Sequence, residues 1–159
     1  MSGVFTDSTS RAVLDWLTGH SLPPGWTPPT NTYLALLVSD PTILSTMSDG
    51  ANFDRTNDPQ MSDLDEVQAA GYSRQLVVWG ASSTPATQPS QIQNSTQLTF
   101  GAFTDSAGMG APTTFGALVT SSVGTSGQVL MTWQWDNPIT AAQNQSLVVP
   151  VAAINMTLQ

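Results

Sequence analysis

The sequence predicts a mainly β fold: an antiparallel β-sandwich or barrel-like sandwich, preceded by an N-terminal helix and an extended proline-rich arm. Short apolar segments bounded by turn-forming residues recur from residue 32 to the end of the 159-residue chain, as they do in strands joined by turns. Clear helical periodicity occurs only at residues 7–18. We therefore expect an arm at residues 1–30 and one β-sandwich domain of six or seven strands at residues 31–159, with an acidic insertion loop at residues 41–67.

The helical pattern rests on Val13, Trp16 and Leu17, which fall at i, i+3 and i+4 and so share one face. Gly19 stands where a helix-terminating glycine is expected. The N-cap has three candidates: Asp7, Ser8 and Thr9. The apolar face predicts that this helix lies against another surface.

The next eleven residues, SLPPGWTPPTN, contain four prolines. Proline lacks a backbone donor and is poorly accommodated in helices and central strands, so residues 21–31 are predicted to be an extended linker. Trp26 lies in the middle of this linker.

The first predicted strand is TYLALLVS, residues 32–39, a continuous apolar run typical of a strand buried on both faces. Asp40 and Pro41 either end this strand or begin a helical turn. Residues 45–68 lack periodicity, and the stretch from Asp40 to Glu66 contains seven acids, these two included. This segment is predicted to be a projecting acidic loop.

The later strands are predicted from shorter patterns at residues 72–79, 95–100, 113–121, 128–135, 146–149 and 153–158. The short segment SVGTSG separates the third and fourth of these, which predicts a hairpin. Because side chains alternate along a strand, Met131, Trp133 and Trp135 should share one face.

Net charge argues against one class of partner. Three arginines and no lysine stand against eleven acidic residues, which gives a formal net charge of -8 and a pI of about 4.1. Affinity for a phosphate backbone comes from basic side chains that displace counterions, so we expect no direct contact with nucleic acid. The N-terminus lacks the basic and apolar regions of a signal peptide, and no run reaches the roughly 20 apolar residues that span a bilayer, so we expect no membrane association.

The predicted surface is rich in amides and hydroxyls. Only 9% of residues are charged, against a typical share of about 25%. Amides and hydroxyls cost less to desolvate than ammonium groups, so this surface suits contact with other subunits. The chain has no cysteine, so no disulfide or zinc ribbon can hold it, and the fold depends on its core or on assembly.

Catalytic and metal-binding patterns are weak. The only histidine, His20, follows the helix-ending glycine, where a structural role is favoured; G-x-S-x-G is absent, and two acids among eleven do not indicate a glycosidase. Five acids could offer oxygen ligands to calcium: Asp54, Asp58, Asp63, Asp65 and Glu66. Their spacing does not match an EF-hand, which favours a solvated loop. We expect no enzyme activity, no cofactor and no metal.

Arg74 lies in the stretch GYSRQLVVWG. On a strand it would share a face with apolar residues such as Leu76 and Val78. An unpaired charge in such surroundings is costly, so Arg74 must reach the strand end or meet a carboxylate. The acids at residues 63–66 are the nearest supply, and we predict that Arg74 either pins the acidic loop to the sheet or meets an acid of a partner.

The tryptophans allow two interpretations. Trp26, Trp133 and Trp135 could stack on sugar rings as flat apolar platforms. A same-face pair on a central strand is more often part of a core. We favour a core position for one of the pair and assign Trp135 to an intersubunit contact.

Several motifs occur in a fixed order: RAVLDWLTG, the proline-rich linker, TYLALLVSDP, GYSRQLVVWG and NSTQLTFG. In this order the chain, from about Ser10 onward, resembles a family of small tailed-phage virion proteins, often labelled tail-fibre or minor tail proteins. In that family a Y-x-A-L strand, an acidic-glycine loop, G-Y-x-R-Q-x-V-x-[FW]-G and T-F-G follow one another. The longer acidic insertion and the additional tryptophans depart from its pattern.

The resemblance implies a non-enzymatic structural protein located in the virion and associated with major capsid or tail proteins. Two placements are open: an exterior capsid decoration or minor capsid subunit, and a tail accessory subunit, either of which would stabilise the particle through intersubunit contacts. We expect a homo-oligomer, for which a trimer is one option. The predicted interface residues are Trp16, Leu17, Trp26, Arg74 and Trp135. The alternative is a receptor- or carbohydrate-binding module of a phage tail.

Overall fold

A computed structural model describes residues 3–23, 26–41, 59–83 and 90–158. Within these ranges the chain forms one α-helix, α1 (Asp7–Thr18), a 3-10 turn (Met61–Asp63) and nine strands. The strands are β1 (Gly3–Phe5), β2 (Thr32–Leu37), β3 (Gln75–Val77), β4 (Ser90–Gln93), β5 (Leu98–Phe100), β6 (Thr113–Val119), β7 (Val129–Ile139), β8 (Leu147–Val149) and β9 (Asn155–Leu158). The predicted mainly β class with one N-terminal helix is confirmed.

All strand pairings within the described residues are antiparallel. Five strands form one sheet in the order β1-β7-β6-β2-β3, while β4 pairs with β9 and β5 pairs with β8 in two smaller sheets. The main hydrophobic core joins side chains of the large sheet, such as Leu34 and Trp133, to Phe100 of β5 and Leu147 of β8. Through this shared core the sheets pack as the layers of a sandwich, and the described strands do not close into a barrel.

β2 is buried on both faces, as its apolar run predicts. Leu34 and Leu36 point into the main core, whereas Ala35 and Leu37 belong to a second core cluster with Met61 and Val119 on the other side of the large sheet. A strand between two apolar layers can carry a continuous apolar sequence because neither face meets water.

The predicted hairpin is confirmed as β6 and β7. Gly116 pairs with Trp133, and a Cβ added at Gly116 would lie 2.7 Å from two atoms of the indole ring, so the close approach requires glycine. The rings of Trp133 and Trp135 meet edge to face with centroids 5.5 Å apart, which confirms that they share a face. β7 continues to Ile139, past the predicted end at residue 135.

Other sequence expectations need correction. The number of strands is nine within the described residues, because three-residue β1 and the four-residue β4 have too little periodicity to be recognised. The predicted N-caps were wrong: Thr6 caps α1, and its hydroxyl accepts a hydrogen bond from the Thr9 amide. The predicted strand at 72–79 is reduced to β3. The predicted C-cap, Gly19, is confirmed in the left-handed conformation.

The acidic segment is described only at its C-terminal end. Residues 42–58, which include Asp54, Asp58 and the helical turn proposed after Pro41, lie outside the described residues. In residues 59–67, Met61 and Val67 are buried in the two core clusters. This end of the segment therefore packs on the sandwich rather than projecting from it.

Candidate intersubunit surface

The N-terminal arm is fixed to the sandwich at its start. β1 is the edge strand beside β7, and the Thr6 amide, just beyond β1, donates to the Leu130 carbonyl at 3.0 Å. The Thr6 hydroxyl donates to the Thr9 hydroxyl at 2.8 Å, and this hydrogen bond is buried. Residues 3–12 thus form part of the folded domain.

The outer side of α1 exposes large apolar side chains. Leu14 is 61% exposed, Trp16 70% and Leu17 66%, whereas the side chains that α1 buries are the small Thr9 and Ala12. The expectation that the predicted apolar face packs down is not met within the described chain. No helix in the described ranges is both long and apolar enough to cross a bilayer.

A groove lies between α1 and the β4–β9 sheet. It has a volume of about 470 Å³ and is lined chiefly by Phe5, Val13, Leu14, Ile92 and Met156, with serine, glutamine and threonine side chains at its margin. None of the described residues that line it is ionisable. The groove can therefore accept apolar side chains but offers no charge to an ionic ligand.

No exposed platform is formed by Trp26, Trp133 and Trp135, the three tryptophans considered for stacking on sugar rings. Trp133 is 2% exposed and lies in the main core, where Trp135 packs against it half-buried. Trp26 of the linker is also half-buried. The indole N–H groups of all three are buried without a hydrogen-bond acceptor in the described part of the chain.

Arg74, one of the predicted interface residues, makes several hydrogen bonds within its own chain. Its Nε donates to both carboxylate oxygens of Glu66, at 3.1 and 3.0 Å, and its Nη2 forms a salt bridge with the same carboxylate. Nη1 donates to the Ser121 carbonyl at 3.0 Å, and Nη2 also donates to the Gly124 carbonyl at 2.8 Å. The prediction that an acid of the 63–66 run meets Arg74 is confirmed.

This contact links three segments that are distant in sequence. Arg74 stands just before β3, Glu66 ends the acidic segment, and the two carbonyls belong to the β6–β7 hairpin loop. The side chains of Arg74 and Glu66 are only 7% and 11% exposed. Burial makes each charge dependent on the other. Together with Tyr72, whose hydroxyl also contacts Glu66, these two residues are called the arginine cluster.

Tyr72 completes the arginine cluster. Its hydroxyl donates to Glu66 Oε2 at 2.9 Å and accepts from the Leu36 amide at 3.0 Å, and its ring stacks on Phe100. Burial, followed by the negative charge of Glu66, raises the pKa of Tyr72 well above its ordinary value. The phenol is therefore a neutral hydrogen-bond donor at physiological pH.

Three of the described acids each accept a hydrogen bond from a different part of the chain. Asp63 accepts from the Gln60 amide, Asp65 from the Ser39 hydroxyl and Asp105 from the Ala70 amide, at 2.8, 2.8 and 2.7 Å. Among residues 3–23, 26–41, 59–83 and 90–158 no three His, Asp or Glu side chains converge as metal ligands. Asp40 is an exposed residue, and partial desolvation of its carboxyl raises its pKa.

His20 lies in the exposed turn after α1. Its Nδ1 is 2.8 Å from the Thr18 hydroxyl, and its amide donates to the Asp15 carbonyl. These contacts finish the helix and agree with the structural role expected at this position.

The structure separates the predicted interface residues. Trp16 and Leu17 are neighbours on the exposed side of α1, Arg74 is engaged internally, and Trp26 and Trp135 are half-buried. Sequence reasoning did not find the groove, because Phe5, Ile92 and Met156 come from three distant segments without a shared motif. The interface roles assigned from the sequence to Trp16, Leu17, Trp26, Arg74 and Trp135 stay predictions.

Comparison with known families gives a match over most of the sandwich domain. The family described as podophage GP4 fiber I protein gp80 matches residues 55–157, more than half of the chain. The matched range includes GYSRQLVVWG and NSTQLTFG, while α1 and β2 precede it. No curated protein matches the chain. The chain belongs to the podophage GP4 fiber I gp80 family and is a structural component of a phage virion, associated with other virion proteins.

Proposed function

We propose that this chain is a non-enzymatic subunit on the exterior of the virion, a tail accessory subunit joined to its neighbours through the exposed apolar side of α1. The observation that carries the proposal is the exposure of Trp16 and Leu17, at 70% and 66%, on a helix whose start is fixed to the sandwich. The description of the family as a fibre protein favours the tail over the capsid.

Exposed tryptophan and leucine side chains on a helix that is anchored to the domain suit an interface. Burying a Leu-sized side chain contributes about 1.5–3 kcal/mol, and aromatic anchors of this kind dominate the energy of many interfaces. Because a particle contains many copies, contacts that are weak one at a time become effective through multivalency. Two such anchors on one helical turn therefore support attachment through α1.

Charge supports an exterior position. The formal net charge of -8 would oppose contact with packaged DNA, whose phosphates are themselves negative. A position on the outer side of the particle avoids this repulsion.

The arginine cluster supports a structural rather than a catalytic role. The Arg74 guanidinium and the Glu66 carboxylate neutralise each other, and the Tyr72 hydroxyl is bound to Glu66. General acid–base catalysis needs a group that can exchange a proton with a substrate, whereas these groups are committed to holding three segments together.

The proposal is tested by counting copies of the chain in purified virions by quantitative mass spectrometry and locating them by electron microscopy. A small, fixed number of copies at the tail supports it. Hundreds of copies on the shell would instead assign the chain to capsid decoration, and absence from virions would overturn the proposal.

The contact itself is tested by Trp16→Ser. We expect this variant to fold like the native chain and to be lost from particles. Deletion of residues 1–30 is a poorer test, because it also removes β1 and the buried Thr6 and Ala12. Normal incorporation of Trp16→Ser would exclude α1 as the attachment site.

A further inference from the structure

We propose that the groove beneath α1 receives α1 of a second copy of this chain, with Trp16 and Leu17 as the side chains that enter it. This inference rests on the proposed function, because it names the partner of the same surface. It is carried by the geometry of α1, the chemistry of the groove and the distribution of charge along the chain.

One helix contributes both parts of the contact. Ser10, Val13 and Leu14 form the α1 wall of the groove, and Leu17 continues their i, i+3, i+4, i+7 stripe by one turn. Trp16 stands in that same last turn and is exposed. A copy that offers protruding side chains one turn, about 5.4 Å, from its own groove can give and receive the same contact.

The groove selects an apolar occupant. Its volume of about 470 Å³ lies in the roughly 300–1,000 Å³ range of sites that enclose small groups or side chains. In the described part of the chain, the lining combines aromatic, branched and thioether side chains with neutral polar residues, and none of these residues is ionisable. A charged peptide would lose its hydration there without gaining an ionic partner.

Charge favours a second copy at this surface over any other part of the domain. Residues 1–31 carry the acids Asp7 and Asp15 and the base Arg11, a net charge of -1, while the whole chain carries -8. The remaining -7 therefore lies in residues 32–159. Because β4 and β9, the other wall of the groove, also contain no ionisable residue, two identical chains repel each other less at this surface than at the acidic segment.

Engineered cysteines test this contact, since the native chain contains none. In a Ser10→Cys/Leu17→Cys double variant the two positions are seven residues apart on one helix, about 10 Å at 1.5 Å per residue. A disulfide spans Cα separations up to about 7 Å, so it cannot close within one helix. Any link must join two copies.

Under mild oxidation of the purified full chain, we expect this double variant to form linked dimers or larger species. A matched control is Val123→Cys/Val151→Cys, whose positions are also exposed but belong neither to α1 nor to the described groove lining. Addition of Trp16→Ser to the α1 double variant should slow linkage about tenfold, as expected for loss of an interface anchor. Linkage no faster than in the control overturns the inference.

The test separates this inference from the proposed function. If the α1 cysteines fail to link copies but Trp16→Ser is still lost from virions, the partner is another protein and only the inference fails. If the cysteines link copies efficiently but virions contain none of the chain, the inference stands and the proposed function fails. A link in virions to a different protein, with none between copies, also overturns the inference.

Discussion

The arginine cluster and α1 use their large side chains in opposite ways. Arg74 brings a charge into the domain and finds Glu66 and two backbone carbonyls there, so its polar requirements are met within one chain. Trp16 and Leu17 instead carry apolar surface outward, and within the described residues little covers them.

This difference indicates where stability ends and assembly begins. A side chain whose partners lie in its own chain contributes to the free energy of folding. An exposed apolar side chain contributes little to folding, and several of them together on one helix, as on α1, favour contacts with other molecules. Substitutions in the two regions should therefore affect different measurements.

The largest expected effect is that of Arg74→Ala on the free energy of unfolding. The substitution leaves the 11% exposed Glu66 carboxylate without its cation and releases the β6–β7 hairpin loop, which should cost about 3–5 kcal/mol. Urea unfolding followed by circular dichroism measures it. Arg11→Ala, at an exposed position on α1, is the matched control and should change stability by less than about 0.5 kcal/mol. Equal changes in the free energy of unfolding for the two variants would refute a stabilising role for the Arg74–Glu66 ion pair.

Tyr72→Phe should cost about 1.5–3 kcal/mol at neutral pH, because it removes a hydrogen bond to a carboxylate and leaves the Leu36 amide without its acceptor. The folded pKa of Tyr72 is raised above the unfolded value of about 10, so its contribution is complete below pH 10 and declines as pH rises further. Urea unfolding at a series of alkaline pH values should show a steeper decline for the native chain than for Tyr72→Phe. Parallel pH profiles would show that Tyr72 titrates normally.

Gly116→Ala should cost about 1–3 kcal/mol, since the new Cβ would lie 2.7 Å from the Trp133 ring and force the buried indole to shift. Gly80→Ala provides the control: its nearest atom would be 3.5 Å away, so its melting temperature should stay close to native. Thermal unfolding of both variants tests whether the Trp133 contact is as close as the structure shows. A native melting temperature for Gly116→Ala would contradict it.

The smallest effect on folding is expected for Leu17→Ser. This residue is 66% exposed, so the free energy of unfolding should change by less than about 0.5 kcal/mol, while self-association of the purified chain weakens. Sedimentation velocity over a range of concentrations measures the association. Val123→Ser, at an equally exposed apolar position in the hairpin loop, should leave association unchanged. Loss of stability in Leu17→Ser would mean that α1 packs more fully than we find.

The sequence predicted elements in which a local pattern coincides with tertiary packing. The apolar run of β2 lies between two core layers, and the SVGTSG turn forms the β6–β7 hairpin, so both were recognisable. The need of a lone cation for a nearby acid also indicated the 63–66 run as one of two possible sources of a partner for Arg74, and the structure shows Glu66 in that role.

The rest depended on contacts between distant segments. β1 has three residues and exists because β7 offers it an edge, and the final strands pair with β5 and β4 and not with each other. The groove similarly combines β1, α1, β4 and β9. The apolar pattern of α1 correctly marked a helix but could not show which side is buried, because Thr9 and Ala12, rather than Trp16 and Leu17, meet the sheet.

The attachment role of α1 is tested most directly by competition between the native chain and the Trp16→Ser/Leu17→Ser variant for incorporation into particles, measured as their ratio in purified virions relative to the lysate. If exposed α1 side chains attach the subunit, the native chain should be enriched at least about tenfold while the variant melts at the native temperature. Equal incorporation of two equally stable chains would contradict the account.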